Sequence, residues 1–197
     1  MPTAQDLQTQ ATLHHLLAVD APVSGGVTGA QAATLTFLVG GDSHACAAAT
    51  PILKMMGKQI IPTGASGSGQ AAKICNNMLL GISMIAVSEC FLLAERLGLS
   101  PQKLHEVVTH ASGQCWTMDR YVPVPDVLEN VPANHAYQAG FSLNMMLKDL
   151  NFSQAAAQHC ALDTPMGQLA TKLFQQGKEQ GMGDLDFSAI IKLLAKQ

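Results

Sequence analysis

A short α/β unit followed by an all-helical region is the architecture this sequence predicts, and three observations predict it. Two apolar runs, Ala18 to Val23 and Leu35 to Val39, are strand-length and bounded by proline or glycine. A third, Gln59 to Pro62, follows after one helical segment, and strand, helix and strand within about 30 residues is the signature of an α/β unit. Beyond Gly64 the texture changes, and residues 69–97 read as one long helix after which no strand pattern returns. Residues 1–63 are therefore expected to be the tail of an α/β domain, joined by that long helix to a helical domain over 64–197.

The elements follow in order. Residues 5–17 are expected to be helical. The strand from Ala18 ends at Pro22-Val23 and runs into a glycine turn at Ser24-Gly25-Gly26, with Gly29 close behind. The second strand stops at Gly40-Gly41, and Asp42 or Ser43 can accept the first N–H groups of the next helix. That helix is expected to reach about Met56, with Gly57 as its terminator. Gly98 ends the long helix, after which Ser100 at a cap and Pro101 at the first position open another. Pro123, Pro125 and Pro132 mark an irregular passage expected to cross the surface. Helices return at about 142–160, 164–177 and 187–196, with Thr164-Pro165 and Asp186 as starts.

A chain of 197 residues allows one good core, or one domain and part of another. Apolar residues are 48% and charged residues 13%, where an ordinary soluble domain carries about 25% charge. So little charge leaves little to cover a monomer, and a homo-oligomer is expected. The net charge of -3 and the absence of a basic run argue against nucleic acid or an anionic membrane as partner. The five cysteines lack a C-x-x-C spacing, which predicts reduced, buried thiols in a reducing compartment such as the cytoplasm. The seven histidines include no pair four apart with a helical acid, so no metal site is expected. Met78 to Ala94 is broken by Ser83, Ser88 and Glu89, which predicts a buried central helix instead of a membrane span. The polar segment Met1 to Gln10 has neither the apolar core of an export signal nor an Arg-rich transit pattern.

Three segments could carry chemistry. In the first, a strand ending in Ser24-Gly25-Gly26 exposes N–H groups beside a hydroxyl, which suits a carboxylate or phosphate; a plain tight turn explains the same residues. The second runs from Gly64 to Asn77. Its glycines follow a strand and open a helix, which predicts free N–H groups facing an anion. Gly67, Gly69 and Ala72 even fit G-x-G-x-x-A, with Glu89 20 residues after Gly69, but no strand follows this helix as the dinucleotide fingerprint requires. Within the helix, Lys73 and Asn77 are four apart and share a face among small and apolar neighbours. A lysine in a partly desolvated cleft can carry a proton, and an amide one turn on can hold a substrate oxygen. The alternative is a lysine reaching solvent and an asparagine bonding the backbone. The third segment holds Phe141 and Lys148-Asp149, a step that usually marks a solvated helix face.

Taken together and in this order, these segments resemble the β-hydroxyacid dehydrogenase family, most closely its 3-hydroxyisobutyrate dehydrogenase branch. The resemblance runs from about Leu16 to the end and includes Ser112-Gly113-Gln114-Cys115-Trp116, Pro123-Val124-Pro125 and Lys148-Asp149-Leu150. It implies a Rossmann-type domain followed by a helical one, and NAD-dependent oxidation of a 3-hydroxy acid to its semialdehyde, in valine and branched-chain amino acid degradation. It implies that Ser24, Gly25 and Gly26 hold the substrate carboxylate, that Lys73 accepts the hydroxyl proton and that Asn77 fixes the hydroxyl. Phe141 and Lys148 would lie beside the nicotinamide. The compartment it implies is the cytoplasm, or the mitochondrial matrix in a eukaryote. Family members begin with a glycine-rich dinucleotide-binding domain, and residues 1–63 contain no G-x-G-x-x-G at a first βα turn. The chain is thus expected to lack most of that domain and to be an inactive fragment by itself. The alternative is a non-catalytic oligomerisation or binding module derived from the dehydrogenase.

Overall fold

The computed structural model describes residues 2–196, which fall into two compact units that divide between Asn76 and Asn77. In the first unit, helix α1 (Pro2–Leu13) precedes a sheet of β1 (Val23–Ser24), β2 (Leu35–Gly40) and β3 (Gly57–Gly64), with α2 (Gly26–Gln31) and α3 (Ser43–Leu53) between the strands. The order is β1-β2-β3, with β1 antiparallel and β3 parallel to β2, so β2-α3-β3 is the α/β unit the spacing predicts. Leu35, Phe37 and Val39 alternate along β2 and bury one face against Leu53 of α3.

The boundaries differ from the expectation for physical reasons. Helix α1 stops at Leu13 because His15 takes a left-handed φ of 56° and the Leu16 N–H returns to Ala11 O at 2.8 Å. The extended run from Ala18 keeps only two residues as strand, since Pro22 has no N–H to give. It still lies along β2: Asp20 and Gly40 exchange both main-chain bonds, and Leu38 N–H donates to Pro22 O at 3.0 Å. The glycine turn opens into α2, a helix too short for a periodic signal. Asp42, not Ser43, caps α3 through the Ala45 N–H at 2.9 Å. Gly57 begins β3 instead of closing α3, because any Cβ there would stand 2.5 Å from Leu35 O and 2.7 Å from the Phe37 ring.

Helix α4 (Ser68–Arg96) starts in the first unit and continues into the second. Its length and hydropathy would suit a membrane crossing, but in the second unit it packs as a core helix. Met84 and Ile85 face one cluster; Val87, Phe91 and Ala94 face another. A helix that feeds two cores has no polar stripe, which is why its sequence is apolar all round. The only deeply buried hydroxyl among these turns, Ser88, donates to Met84 O at 2.7 Å.

The rest of the second unit comprises α5 (Pro101–Thr109), α6 (Trp116–Arg120), α7 (Leu143–His159), α8 (Pro165–Gly177) and α9 (Ile190–Leu194). Leu143, Met146, Leu147 and Leu150 form the i, i+3, i+4, i+7 stripe of α7 and meet Ala170 and Phe174 of α8. Burying a side chain such as Phe174 fully contributes about 1.5–3 kcal/mol. Gly81 brings α4 against α7: a Cβ there would stand 3.1 Å from Leu150 and Met146. Helix α6 was not foreseen, and the last helix starts as a 3-10 turn at Phe187–Ala189. The proline passage is irregular, as expected, but it does not only cross the surface, since Val122 and Val131 are buried in the second cluster. The cysteines are all free, yet Cys75 and Cys160 are exposed and the others half-buried, so the expected burial of thiols does not hold.

Asp20 gives the first test of this account. Its carboxylate accepts the Gly67 N–H at 2.6 Å and the Gln70 N–H at 2.9 Å. Asp20→Ala is expected to lower the unfolding free energy by about 3 kcal/mol, seen as an earlier urea midpoint, because hydrogen bonds to a charged acceptor contribute about 1.5–3 kcal/mol each. Asp20→Asn, with one acceptor oxygen, should lose roughly half as much.

Candidate active site

Candidate residues of the first unit are Ser24, Gly25, Gly26 and Lys73. The Ser24 turn is held open by backbone geometry: Gly25 has φ 132° and Gly26 φ 61°, both in the region that favours glycine. A side chain on Gly25 would also meet Leu35 at 3.2 Å. Gly25 and Gly26 are exposed and Ser24 is half-buried, so hydroxyl and turn backbone stand together at the surface.

The glycine turn before α4 behaves differently. Its N–H groups were expected to face an anion from outside, and the anion is the protein's own Asp20. With the N–H groups of Gly67 and Gln70 both given to that carboxylate, the end of α4 is occupied. Packing leaves no room either, since a Cβ on Gly40 would stand 2.5 Å from Asp20 Oδ1 and 2.8 Å from Ser68 Oγ. Glu89 lies exposed in the middle of α4 and not at a strand end. The dinucleotide fingerprint in this segment is therefore coincidental.

Three residues after Gln70, Lys73 is half-buried between Ala72 and Ile74, which are half-buried too. One turn further along the same helix, Asn77 is buried, with 2% of its surface exposed. Helical geometry gives residues four apart one face. The Asn77 amide nitrogen donates to Asp149 Oδ2 of α7 at 2.5 Å.

In the second unit Asp149 is the residue that sequence reasoning missed. A carboxylate can only accept, so it draws the Nδ2 of Asn77 toward itself and sets which way the amide faces. Its other oxygen lies 3.5 Å from Lys148 Nζ. Lys148 is well exposed while Asp149 turns inward (side chains 58% and 15% exposed), so the Lys-Asp step is only half a solvated face. The one available signal was its place in the Lys148-Asp149-Leu150 segment of the resemblance. Phe141, the residue before the Ser142 cap of α7, is half-buried with its ring edge-on to Phe187, centroids 5.6 Å apart. Phe187 stacks on Tyr121 and Tyr121 on Trp116, each at 5.3 Å. Burial, then the charge of Asp186 and the bond to it, push the Tyr121 phenol far above its ordinary value of 10.0.

An α/β portion joined by one long helix to a helical portion is the architecture of a recognisable family. Residues 1–64 match the model for the NAD binding domain of 6-phosphogluconate dehydrogenase, and residues 67–194 match that for the NAD-binding domain of NADP-dependent 3-hydroxyisobutyrate dehydrogenase. The chain belongs to the 3-hydroxyisobutyrate dehydrogenase family. It superposes with a TM-score of 0.93 and 45% identity on the Mycobacterium tuberculosis 3-hydroxyisobutyrate dehydrogenase solved with L-serine, covering 97% of this chain and 65% of that one. It is 44% identical to the NAD-dependent L-serine dehydrogenase of Pseudomonas aeruginosa, over 97% of this chain and 64% of that protein. It is 45% identical to the mitochondrial 3-hydroxyisobutyrate dehydrogenase of Drosophila melanogaster, over 91% of this chain and 55% of that protein. The chain thus spans less than two thirds of the length of these relatives.

The dinucleotide that the family implies fits some of these residues and not others. The turn before α4 does not fit a pyrophosphate, because Asp20 holds its N–H groups. Phe141, a half-buried aromatic ring, and Lys148, an exposed cation, keep part of their surface open.

Two measurements check this geometry. In a double-mutant cycle of Asn77→Ala and Asp149→Ala, the coupling in unfolding free energy is expected at about 1–3 kcal/mol. The second is an alkaline titration. Burial also raises the phenol of Tyr137, the chain's other tyrosine. A phenol raised in the folded state stabilises the fold fully below the unfolded value and progressively less above it. Stability should therefore fall as pH rises past 10.0, and tyrosinate absorbance should appear only with unfolding.

Proposed function

We propose that this chain carries the proton-transfer and substrate-binding residues of an NAD-dependent dehydrogenase for small 3-hydroxy acids. The substrate it best suits is 3-hydroxyisobutyrate, oxidised to its semialdehyde in valine breakdown; L-serine, also a 3-hydroxy acid, is the runner-up. One observation supports the reading above the others: a half-buried amine one helical turn before a buried amide that a carboxylate holds in orientation.

In this reading residues 1–63 are the dinucleotide-domain portion and 64–197 the helical portion. Ser24 and the Gly25-Gly26 turn take the substrate carboxylate. Lys73 accepts the hydroxyl proton as the hydride leaves the carbinol carbon, the general-base role of this proposal. Asn77 fixes the hydroxyl oxygen, with Asp149 holding its amide. Phe141 and Lys148 bound the nicotinamide end of the cofactor. NAD, when bound, takes the hydride from the carbinol carbon. The exposed Leu93, Leu97 and Val107 support assembly as a homo-oligomer. The free cysteines suit a reducing compartment, the cytoplasm or, in a eukaryote, the mitochondrial matrix.

NADH formation tests the proposal. The chain is assayed alone and joined to the part of the Mycobacterium tuberculosis relative that the match leaves out, with 3-hydroxyisobutyrate and L-serine in parallel. Turnover is expected in the joined form, falling about 10²- to 10⁴-fold in Lys73→Ala. No turnover with either acid, or turnover indifferent to Lys73→Ala, refutes it.

A further inference from the structure

Asp186 is fully buried, and no positive side chain neutralises it among the contacts that hold it. What holds it is five hydrogen-bond donors. Oδ1 accepts the N–H and the hydroxyl of Ser188, at 3.0 and 2.7 Å, which is the helix-start role its sequence position predicts. Oδ2 does something that capping does not need. It accepts the Tyr121 hydroxyl at 2.9 Å and the N–H groups of Gly140 and Phe141 at 3.2 Å each. These donors come from two separate stretches of chain, and both carry aromatic rings of one ladder: Trp116 on Tyr121, Tyr121 on Phe187, Phe187 against Phe141.

We infer that Asp186 is a positioning residue: one buried carboxylate oxygen sets where the Phe141 ring and the Tyr121 ring stand. Phe141 is gripped on both sides of its Cα, its N–H donating to Asp186 Oδ2 and its C=O accepting from the Phe187 N–H at 2.9 Å. Its χ freedom is then confined by the edge contact with Phe187. Tyr121 is tethered through its hydroxyl, so it offers its ring face to Trp116 and keeps its proton on Asp186. The purpose of the device, placing Phe141 for the nicotinamide, rests on the dehydrogenase proposal; the positioning itself does not.

The test uses the full chain without cofactor or substrate. Trp116 is the only tryptophan, so its fluorescence reports the exposed end of the ladder, and amide hydrogen exchange at Gly140 and Phe141 reports the other end. Asp186→Asn keeps the shape but offers one acceptor. It is expected to speed exchange at Gly140 and Phe141 about ten- to a hundredfold, and to change acrylamide quenching of Trp116, with far-ultraviolet circular dichroism unchanged. Tyr121→Phe, which retains the ring, should alter Trp116 quenching while leaving exchange at Gly140 and Phe141 as it was. Ser188→Ala should leave both signals in place. The inference is overturned if Asp186→Asn affects only Ser188 and its neighbours. It is equally overturned if exchange rises uniformly through residues 77–196, or if Trp116 is indifferent to Tyr121→Phe. Should Asp186→Asn fail to fold, Asp186→Glu, which keeps the charge but displaces the oxygens by one methylene, is read by the same two signals and with the same overturning outcomes. Either result leaves the test of Lys73 standing, and failure there leaves this one standing.

Discussion

The carboxylate of Asp20 is the constraint from which α4 takes its start. Its backbone is paired on both sides with Gly40 at the end of β2, and its side chain holds the first N–H groups of the helix. A helix begun at a fixed point has its whole register fixed, about 100° per residue. So the facing of Lys73 follows from where Gly67 and Gln70 are tied. The glycines at 40 and 69 serve the same approach, since a side chain at either would collide with Asp20 or β2. A helix N-terminus that looks like a seat for an external anion can equally be a seat for an internal one, and here the distinction removes a dinucleotide motif from consideration.

Two other buried or half-buried acids repeat the pattern in the helical unit. Asp149 joins α7 to Asn77, and Asp186 joins the Tyr121 and Phe141 segments to the turn at Ser188. Asp186 takes its donors from three stretches of chain, and Asp149 accepts from α4 while pairing with its neighbour Lys148. An acid that satisfies several N–H or O–H groups costs less to bury than an isolated charge, and it converts placement of one side chain into placement of several. A chain with few charges has spent three of its acids as internal fasteners.

This organisation suits proton-transfer chemistry. In the proposed reaction the amine of Lys73 takes the proton from a half-buried position on α4. The amide beside it must hold one orientation, and an acceptor-only partner imposes it. Membership of the 3-hydroxyisobutyrate dehydrogenase family supports the reaction class proposed above. Lys148 stands apart from these, since its exposed ammonium reports reach toward solvent and not burial.

The β2-α3-β3 unit, the long helix and its glycine stop, and the cap at Ser100 depend on neighbours within a few residues, and these were determined locally. Two other elements were less legible. Helix α2 at six residues is too short to show a period, and β1 was read too long because proline's missing N–H matters only against a partner strand. The pairing of Lys73 with Asn77 on one face was legible too, because it needs only the helical period. What the sequence could not disclose was which carboxylate meets which donor. Asp20 lies 47 residues from Gly67, Asn77 72 from Asp149, and Tyr121 65 from Asp186. No local pattern records those distances. Only the packed chain brings such groups together, and burial then demands that each find a partner.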